Sequence, residues 1–350
     1  MSRLEQQVLR ALLAPLFDPL HPLTLPLPAD DALVLAVARH HRLSPALSVL
    51  TPGALSPPLH EVFRGDRLVT LGRWTLLRRA LIESLNALQA AGVKAAVLKG
   101  MAYEAQVYPI PGTRPATDID ILVRPEARPA AFGVFRSLGF EPAGGGPGFD
   151  ELDYHEVSLR RGGVNIDLHF GLAPFARGEV DYDALWKEIV AFPLDLAAAY
   201  ALSRPHAALH QALHMAIHHF DVPGIYLLDL ARLCAEPLVA RQAAQAARAW
   251  RCVRAWETAT ALAASFIPGA RAWLRPDGIL ASNSRNERVI EAFGGLDAVS
   301  RPEQLRRKVE HFDTPADAFR YLAVQGRRVL RERLASLQAP PLTPSQRLGW

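Results

Sequence analysis

The chain has 350 residues, of which 50% are apolar and 21% are charged, with a formal net charge of +4 at pH 7. This balance excludes an intrinsically disordered chain, which lacks the apolar surface that offsets the entropy of ordering. Only two cysteines occur, Cys234 and Cys252, so the protein is not a disulfide scaffold, and we expect both thiols in the core. No uncharged apolar run reaches the roughly 18 residues of a membrane-spanning helix.

Charges of both signs are interspersed, and no basic block alternates with aromatic residues. We therefore expect neither an obligatory nucleic-acid partner nor a membrane partner. The short apolar stretch from Ala11 to Phe17 is interrupted by Pro15 and lacks a small-residue cleavage site, so it does not read as a signal peptide. We expect a cytoplasmic bacterial protein.

The first 91 residues are predicted to form a helical region. Leu4 to Leu13 is predicted as a short helix, and prolines punctuate the connector from Pro15 to Pro28. A second helix is predicted from Asp30 to Leu50, with acidic residues favourably placed at its N-terminus. A long third helix is predicted from Glu61 to Ala91, where a glycine follows and ends it.

Strand patterns begin after this region. Val93 to Leu98 is a short apolar run typical of a buried strand, and Asp118 to Val123 alternates acidic and apolar residues. Two more strands are predicted at His155 to Arg160 and Val164 to His169, because Gly162-Gly163 between them favours a hairpin turn. The connections are predicted as two helices, Met101 to Val107 and Glu126 to Leu138, and a flexible loop, Gly144 to Gly148.

After Tyr182 the pattern becomes helical again, to about Leu337. We therefore divide the chain into an N-terminal helical region (1–91), a sheet-containing core (92–182), a C-terminal helical domain (183–338) and a loose tail (339–350). The predicted fold class is α+β, with a small mixed β-sheet core flanked by helical regions on both sides.

Three acidic residues form the most informative pattern. Asp118 and Asp120 lie on the same face of one predicted strand, where two carboxylates repel each other and lose solvation. Asp167 lies mid-strand between apolar neighbours. A hard divalent cation resolves such an arrangement, and three converging carboxylates suit a pair of Mg²⁺ ions for in-line phosphoryl chemistry. An Asp-x-Asp pattern alone is also common on solvated faces and at helix caps, so the interpretation depends on the upstream strand followed by Gly100 and on the third acid, Asp167.

The order of these segments resembles the DNA polymerase beta nucleotidyltransferase superfamily and, more narrowly, the bacterial family of uncharacterised nucleotidyltransferases. The resemblance covers roughly Asp30 to Arg232. The matching segments are Leu98-Lys99-Gly100, Tyr108-Pro109, Arg114, Asp118 to Val123, Gly139-Phe140, Asp167 to Phe170, Ala36 to Pro45 and Leu209 to Asp229. The acidic triad is the specific part of the resemblance, and the helical flanks are weaker.

The resemblance implies a Mg²⁺-dependent nucleotidyltransferase. It would move a nucleoside monophosphate from a nucleoside triphosphate, with ATP the expected donor, to a small-molecule or peptide acceptor, releasing pyrophosphate. Asp118 and Asp120 would bind both Mg²⁺ ions. Asp167 would hold the catalytic ion and help to deprotonate the acceptor hydroxyl. Gly100 would let the triphosphate approach the backbone at a helix N-terminus.

The chain departs from the superfamily pattern after the first strand. Many members have Gly-Ser there, with the hydroxyl on a phosphate, whereas this chain has Gly100-Met101. Lys99 and Arg114 are the expected compensating phosphate binders. The departure leaves open an alternative function, a catalytically degenerate binding protein similar to the antitoxins of this superfamily, with a protein or peptide as its partner.

A histidine series gives a third hypothesis. His210, His214 and His218 recur every four residues on a predicted helix, with His219 adjacent, and such spacing can build a metal site in a His-based hydrolase. We favour a helix packed against the sheet, with some of these histidines in the active cleft.

Two other polar residues are assigned structural roles. Asp229 lies on an otherwise apolar predicted helix, where we favour a cap or a pair with an arginine over a place in the acceptor site. His169 is assigned to the strand face opposite that of Asp167.

Overall fold

The computed structural model of this chain describes residues 2–50, 53–143, 155–174, 178–192, 199–274, 284–293 and 309–323, together with 306 and 327. The predicted loop Gly144 to Gly148 and the predicted tail, 339–350, lie outside these ranges. Within them, no helix combines the length and the apolar character needed to cross a membrane.

Four helices form the N-terminal part: α1 (Arg3–Phe17), α2 (Asp31–His40), α3 (Ser44–Leu47) and α4 (Pro57–Ala90). Small polar side chains start three of them, as expected for helix N-termini. The caps are Ser2 with Glu5 in a capping box on α1, Asp30 on α2 and Ser56 on α4.

The single helix predicted from Asp30 to Leu50 is wrong, because α2 and α3 are separate. Arg42 adopts a φ of 57°, in the left-handed region, and the Leu43 N–H donates to the Ala38 carbonyl at 2.7 Å. This is a helix-terminating geometry. It is held from outside the segment, since the Gly224 N–H donates to Nδ1 of His41 at 2.9 Å.

The sheet has seven strands: β1 (Ala95–Leu98), β2 (Ile119–Val123), β3 (Glu141–Pro142), β4 (Glu156–Arg161), β5 (Val164–His169), β6 (Val190–Ala191) and β7 (Tyr200–Ala201). Their order is β3-β4-β5-β2-β1-β7-β6. The central strand β2 pairs antiparallel with β1 and parallel with β5, so the sheet is mixed. All residues of β1 and β2 are buried.

The helical pattern predicted after Tyr182 did not include the short strands β6 and β7. These strands have two residues each, and β7 pairs in parallel with β1. Two residues are too few to show any periodicity, so their pairing is decided by tertiary contacts and not by local sequence.

The predicted hairpin sets the register of β4 and β5. Gly162 and Gly163 both have positive φ, at 49° and 78°, which the turn requires. In the resulting register Asp167 lies opposite Ser158. On its other side, β5 places Asp167 beside Asp120 of β2.

Nine further helices complete the described fold: α5 (Lys99–Val107), α6 (Arg128–Ser137), α7 (Tyr182–Lys187), α8 (Arg204–Ile217), α9 (Ile225–Leu233), α10 (Pro237–Ala249), α11 (Val253–Phe266), α12 (Arg271–Leu274) and α13 (Ser284–Ala292). Helix α8 is central, with residues 206–213, 215 and 216 all buried. Helices and a mixed sheet share one hydrophobic core, which confirms the α+β class. Both cysteines are buried as predicted, and burial raises the pKa of Cys234 to about 12.

Candidate active site

An open cavity of about 300 Å³ lies at the ends of β1, β2 and β5, facing α8 and α9. Its walls are formed by Arg42, Lys99, Gly100, Arg114, Pro115, Ala116, Thr117, Asp118, Asp120, His155, Glu156, Asp167, His214, Ile217, His218 and Tyr226. All of the site residues predicted from the sequence are among them. The structure therefore brings these residues together, and their individual roles stay predictions.

Asp120 is the buried centre of the polar wall. Its Oδ1 lies 2.6 Å from Nζ of Lys99 and 2.9 Å from Nε2 of His169. Burial disfavours the charged carboxylate, but Lys99 and His169 outweigh this cost and hold the pKa of Asp120 well below its usual range. Lys99 has a φ of 41°, a strained conformation for a residue with a side chain, and it reaches Asp120 from the first turn of α5.

The pKa values of Asp118 and Asp167 are shifted in the opposite direction from that of Asp120. Burial, followed by the repulsion of neighbouring carboxylates, raises the pKa of Asp118 above its ordinary value. Burial also raises the pKa of Asp167, although its Oδ1 accepts a hydrogen bond of 2.5 Å from Oγ of Ser158. Asp118 makes no hydrogen bond or ion pair within the described ranges. The charges of Lys99 and Arg114 lower the pKa of Asp118 but do not offset these effects, so neither Asp118 nor Asp167 has a directly bound cation within the described ranges.

Replacing Asp118 with asparagine is expected to raise the free energy of unfolding at pH 7 when divalent cations are absent. Folding raises the pKa of this carboxyl, so its ionisation costs stability at any pH above its ordinary value near 3.8. Asp120→Asn is expected to have the opposite sign, with a loss of about 1–3 kcal/mol, because buried Lys99 loses its counter-ion. Urea titration measures the change in the free energy of unfolding for both variants. A lower stability of Asp118→Asn than of wild type would show that ionised Asp118 does not oppose folding.

Comparison with known families decides the class of this site. The family described as "Uncharacterised nucleotidyltransferase" matches residues 28–268, which is more than half of the chain. The chain belongs to this family. It is therefore an enzyme that transfers nucleotidyl groups, as predicted. No protein of curated function matches the chain.

The solved structures that are similar to this nucleotidyltransferase include two of the same protein. Both are of the antibiotic-resistance factor ANT(2'')-Ia, one determined in solution and one in a crystal with adenylyl-2''-tobramycin. Each has 16% sequence identity and a TM-score of 0.36. Each alignment covers 51% of this chain, and 91% and 98% of the respective neighbour.

Arg114 of the nucleotidyltransferase lines the cavity but is bound to protein acceptors. Its Nη2 and Nε donate to the two carboxylate oxygens of Asp229 at 2.8 and 3.2 Å. Its Nη1 donates to the Pro115 carbonyl at 3.1 Å. Asp229 is fully buried and also accepts a hydrogen bond of 2.7 Å from Oη of Tyr108. The arginine partner predicted for Asp229 is thus Arg114, and phosphate would have to use the remaining N–H groups of the guanidinium.

Gly100 is required by the packing of Arg114. A Cβ at this position would lie 2.8 Å from Nη1 of Arg114 and 3.3 Å from Cβ of Ala116. The next residue, Met101, is buried and does not line the cavity. The space beside Gly100, where the triphosphate was predicted to approach, is therefore already filled by the side chain of Arg114. A triphosphate contact there stays a prediction.

Glu104 holds the loop that carries Arg114. It is buried, and its oxygens accept from the Gly112 N–H at 2.6 Å and the Arg114 N–H at 3.1 Å. Burial raises the pKa of Glu104 to about 7, against the two backbone hydrogen bonds that lower it. Sequence analysis did not single out this residue, because a lone Glu on a short helix has no distinctive pattern.

The wild type is expected to lose stability relative to Glu104→Gln as the pH rises from about 4.5 to about 7. A folded-state pKa of about 7 exceeds the ordinary value of 4.5, so the folded state binds more protons in this window and stability falls with pH. Below pH 4.5 the Glu104 carboxyl costs no stability. Above pH 7 the cost of its ionisation is complete, with an upper bound of about 3 kcal/mol. Denaturant titrations at several pH values check this, and parallel pH profiles for the two proteins would contradict it.

The strand face assigned to His169 from the sequence is wrong. Residues 167 and 169 are two apart on β5, and the strand period places them on the same face. His169 is almost completely buried behind Asp120, and its Nε2 is hydrogen-bonded to the Asp120 carboxylate. Its Nδ1 lies 3.2 Å from Oε2 of Glu156.

The histidine series is divided by the end of α8. His214 and His218 line the cavity, as expected for some members of the series, with ring centroids 4.6 Å apart. Burial, followed by the charge of Lys99, lowers the pKa of His214 well below its ordinary value. His219 has a φ of 57° beyond the helix, so it does not continue the helix face. Within the described residues the series contains no group of three ligands close enough to hold a metal.

Sequence analysis missed several cavity residues. His155 and Glu156 stand at the start of β4, where Glu156 pairs with His169. The Gly162-Gly163 hairpin fixes this register, so counting back from the turn would have placed Glu156 beside the acidic triad. Arg42 lies between α2 and α3, and Tyr226 lies on α9. No local pattern in the sequence connects either residue to the site.

Proposed function

We propose that this enzyme transfers a nucleoside monophosphate from a nucleoside triphosphate, with ATP the expected donor, to a small-molecule or peptide acceptor, in a Mg²⁺-dependent reaction that releases pyrophosphate. The observation that supports this is the placement of Asp118, Asp120 and Asp167 on one wall of an open cavity. Ordinary packing gains nothing from three acids there, whereas carboxylates suit the divalent cations that catalyse phosphoryl transfer.

The chemistry of the donor set fits Mg²⁺, although within the described residues the three carboxylates do not form a group of ligand atoms within 4.8 Å, so their side chains would have to turn toward a shared ion. The donor atoms are carboxylate oxygens, which Mg²⁺ prefers. Among the described residues Asp118 makes no direct ion pair, although the charges of Lys99 and Arg114 lower its pKa, and Asp167 accepts only from a neutral hydroxyl. Both contacts to Asp120, from Lys99 and His169, are made to Oδ1. Bound Mg²⁺ would supply positive charge where negative charge develops on the transferred group.

The remaining steps belong to residues of this chain. An acceptor hydroxyl bonds to the α-phosphorus in line with the departing oxygen, and the bond from that phosphorus to the bridging oxygen breaks, so pyrophosphate leaves with the electron pair. Asp167 takes the acceptor proton as the general base. Lys99 and the free N–H groups of Arg114 contact phosphate oxygens. Tyr226 and His214, whose rings are 5.4 Å apart, also line the cavity and position the acceptor or the nucleobase.

Transfer of label from nucleoside triphosphates labelled at the α-phosphate tests this proposal. The full chain is incubated with each of the four nucleotides, Mg²⁺, and either a small-molecule or a peptide fraction from cells. We expect label in one fraction, dependent on Mg²⁺, together with released pyrophosphate. If a folded protein gives no labelled product and no pyrophosphate with any nucleotide, the degenerate binding-protein alternative replaces this proposal.

A further inference from the structure

A second group of metal-ligating side chains lies next to the carboxylate triad. Ring nitrogens of His155 and His169 and a carboxylate oxygen of Glu156 all lie within 4.8 Å of one another. Oε2 of Glu156 lies 3.2 Å from Nδ1 of His169 and 3.5 Å from Nε2 of His155. The reaction proposed above uses none of these three residues.

His169 supplies an independent observation. The ring is almost completely buried, and its Nδ1 has no hydrogen-bond partner. The opposite nitrogen, Nε2, faces the carboxylate of Asp120 at 2.9 Å. A carboxylate only accepts hydrogen bonds, so Nε2 donates to Asp120, while Nδ1 lies 3.2 Å from Oε2 of Glu156 without forming a hydrogen bond to it. A metal ion between this nitrogen and Oε2 of Glu156 would give the buried ring nitrogen a partner.

We infer that His155, Glu156 and His169 form a transition-metal site, separate from the carboxylate triad, that binds Zn²⁺. Two imidazole nitrogens and one carboxylate oxygen are a ligand set typical of Zn²⁺ sites that keep an open position, whereas Mg²⁺ prefers oxygen ligands alone. Asp120 acts as the outer carboxylate that fixes the orientation and tautomer of a histidine ligand.

The hairpin builds this site. The β4–β5 register places Glu156 opposite His169, one pair of same-face residues along from Ser158 and Asp167. His155 directly precedes β4, and both His155 and Glu156 line the cavity. The open position of a bound Zn²⁺ would therefore face the same cavity as the triad, where it can take an anionic group of a ligand.

Calorimetric titration of the chelator-treated full chain with Zn²⁺ tests the site. No nucleotide, Mg²⁺ or acceptor is present, so the result does not depend on the proposed reaction. We expect about one Zn²⁺ per chain. Glu156→Gln and His155→Gln are each expected to weaken binding by about 10-fold or more. Asp118→Asn and His218→Gln, which replace two other residues that line the cavity, are the matched controls and are expected to bind like wild type.

Several results would overturn the inference. The first is an absence of Zn²⁺ binding by folded wild type. The second is a loss of binding in Asp118→Asn, which would place the ion on the triad. The third is a loss of binding in His218→Gln, which would place the ion at the end of α8. Circular dichroism shows whether each variant is folded. If the ligand variants do not fold, histidine ring resonances of wild type decide: Zn²⁺ must shift the signals of His155 and His169 and leave those of His218 in place.

Discussion

Asp229→Ala is expected to lower the free energy of unfolding by about 3–5 kcal/mol, because it leaves the buried guanidinium of Arg114 without its counter-ion. The carboxylate of Asp229 is fully buried, and the side chain of Arg114 is only 7% exposed. Water therefore cannot replace the carboxylate as a partner of the guanidinium. The hydrogen bond from Tyr108 is lost at the same time. This is a large share of the roughly 5–15 kcal/mol that stabilises a typical protein.

Denaturant titration of wild type, Asp229→Ala and two further variants measures this effect. Asp183→Ala is the matched control, because Asp183 also pairs with an arginine but is 79% exposed, and we expect almost no change. The double replacement Arg114→Leu/Asp229→Leu is expected to recover part of the loss, since it removes both buried charges. Equal effects of Asp229→Ala and Asp183→Ala would contradict the importance of the buried pair.

Asp118→Asn and Asp167→Asn are each expected to reduce nucleotidyl transfer by at least about 100-fold, since one group that stabilises transition-state charge typically contributes that much. Asparagine keeps the size of the side chain but removes the charge that would hold Mg²⁺. Folding is not expected to suffer, because burial raises the pKa of both carboxyls, and their ionisation opposes folding.

The initial rate of label transfer or pyrophosphate release measures this loss, with circular dichroism and denaturant titration on the same samples. Asp183→Asn, an exposed acid outside the cavity, is the control and should keep the wild-type rate. Retention of more than about a tenth of the activity in Asp118→Asn would show that its charge is not part of the reaction.

Local periodicity predicted much of the sheet. The alternation of acidic and apolar residues placed a strand within one residue of β2, and the Gly162-Gly163 turn predicted the β4–β5 hairpin. The same alternation put Asp118 and Asp120 on one face. What the sequence does not contain is the parallel pairing of β2 with β5, which brings Asp167 beside Asp120. Such a pairing depends on the whole sheet and not on a local pattern.

Long-range polar contacts were less predictable. Asp229 was expected to cap a helix or pair with an arginine, but nothing local selects Arg114, which is 115 residues away, from the many arginines in the chain. The break between α2 and α3 depends on His41 meeting Gly224. The error at His169 was different, because the strand period itself places it on the face of Asp167.

Stabilisation by nucleotides tests the central claim, a Mg²⁺–nucleotide site at the acidic triad, most directly. The midpoint of thermal unfolding is measured with ATP, GTP, CTP and UTP, each with and without Mg²⁺, for wild type and for Asp118→Asn/Asp120→Asn. We predict that one nucleotide stabilises wild type only with Mg²⁺, by about 2.7 kcal/mol at 100 times its dissociation constant, and that the double variant loses this response. Equal stabilisation of folded wild type and double variant, or none for either, would contradict the site.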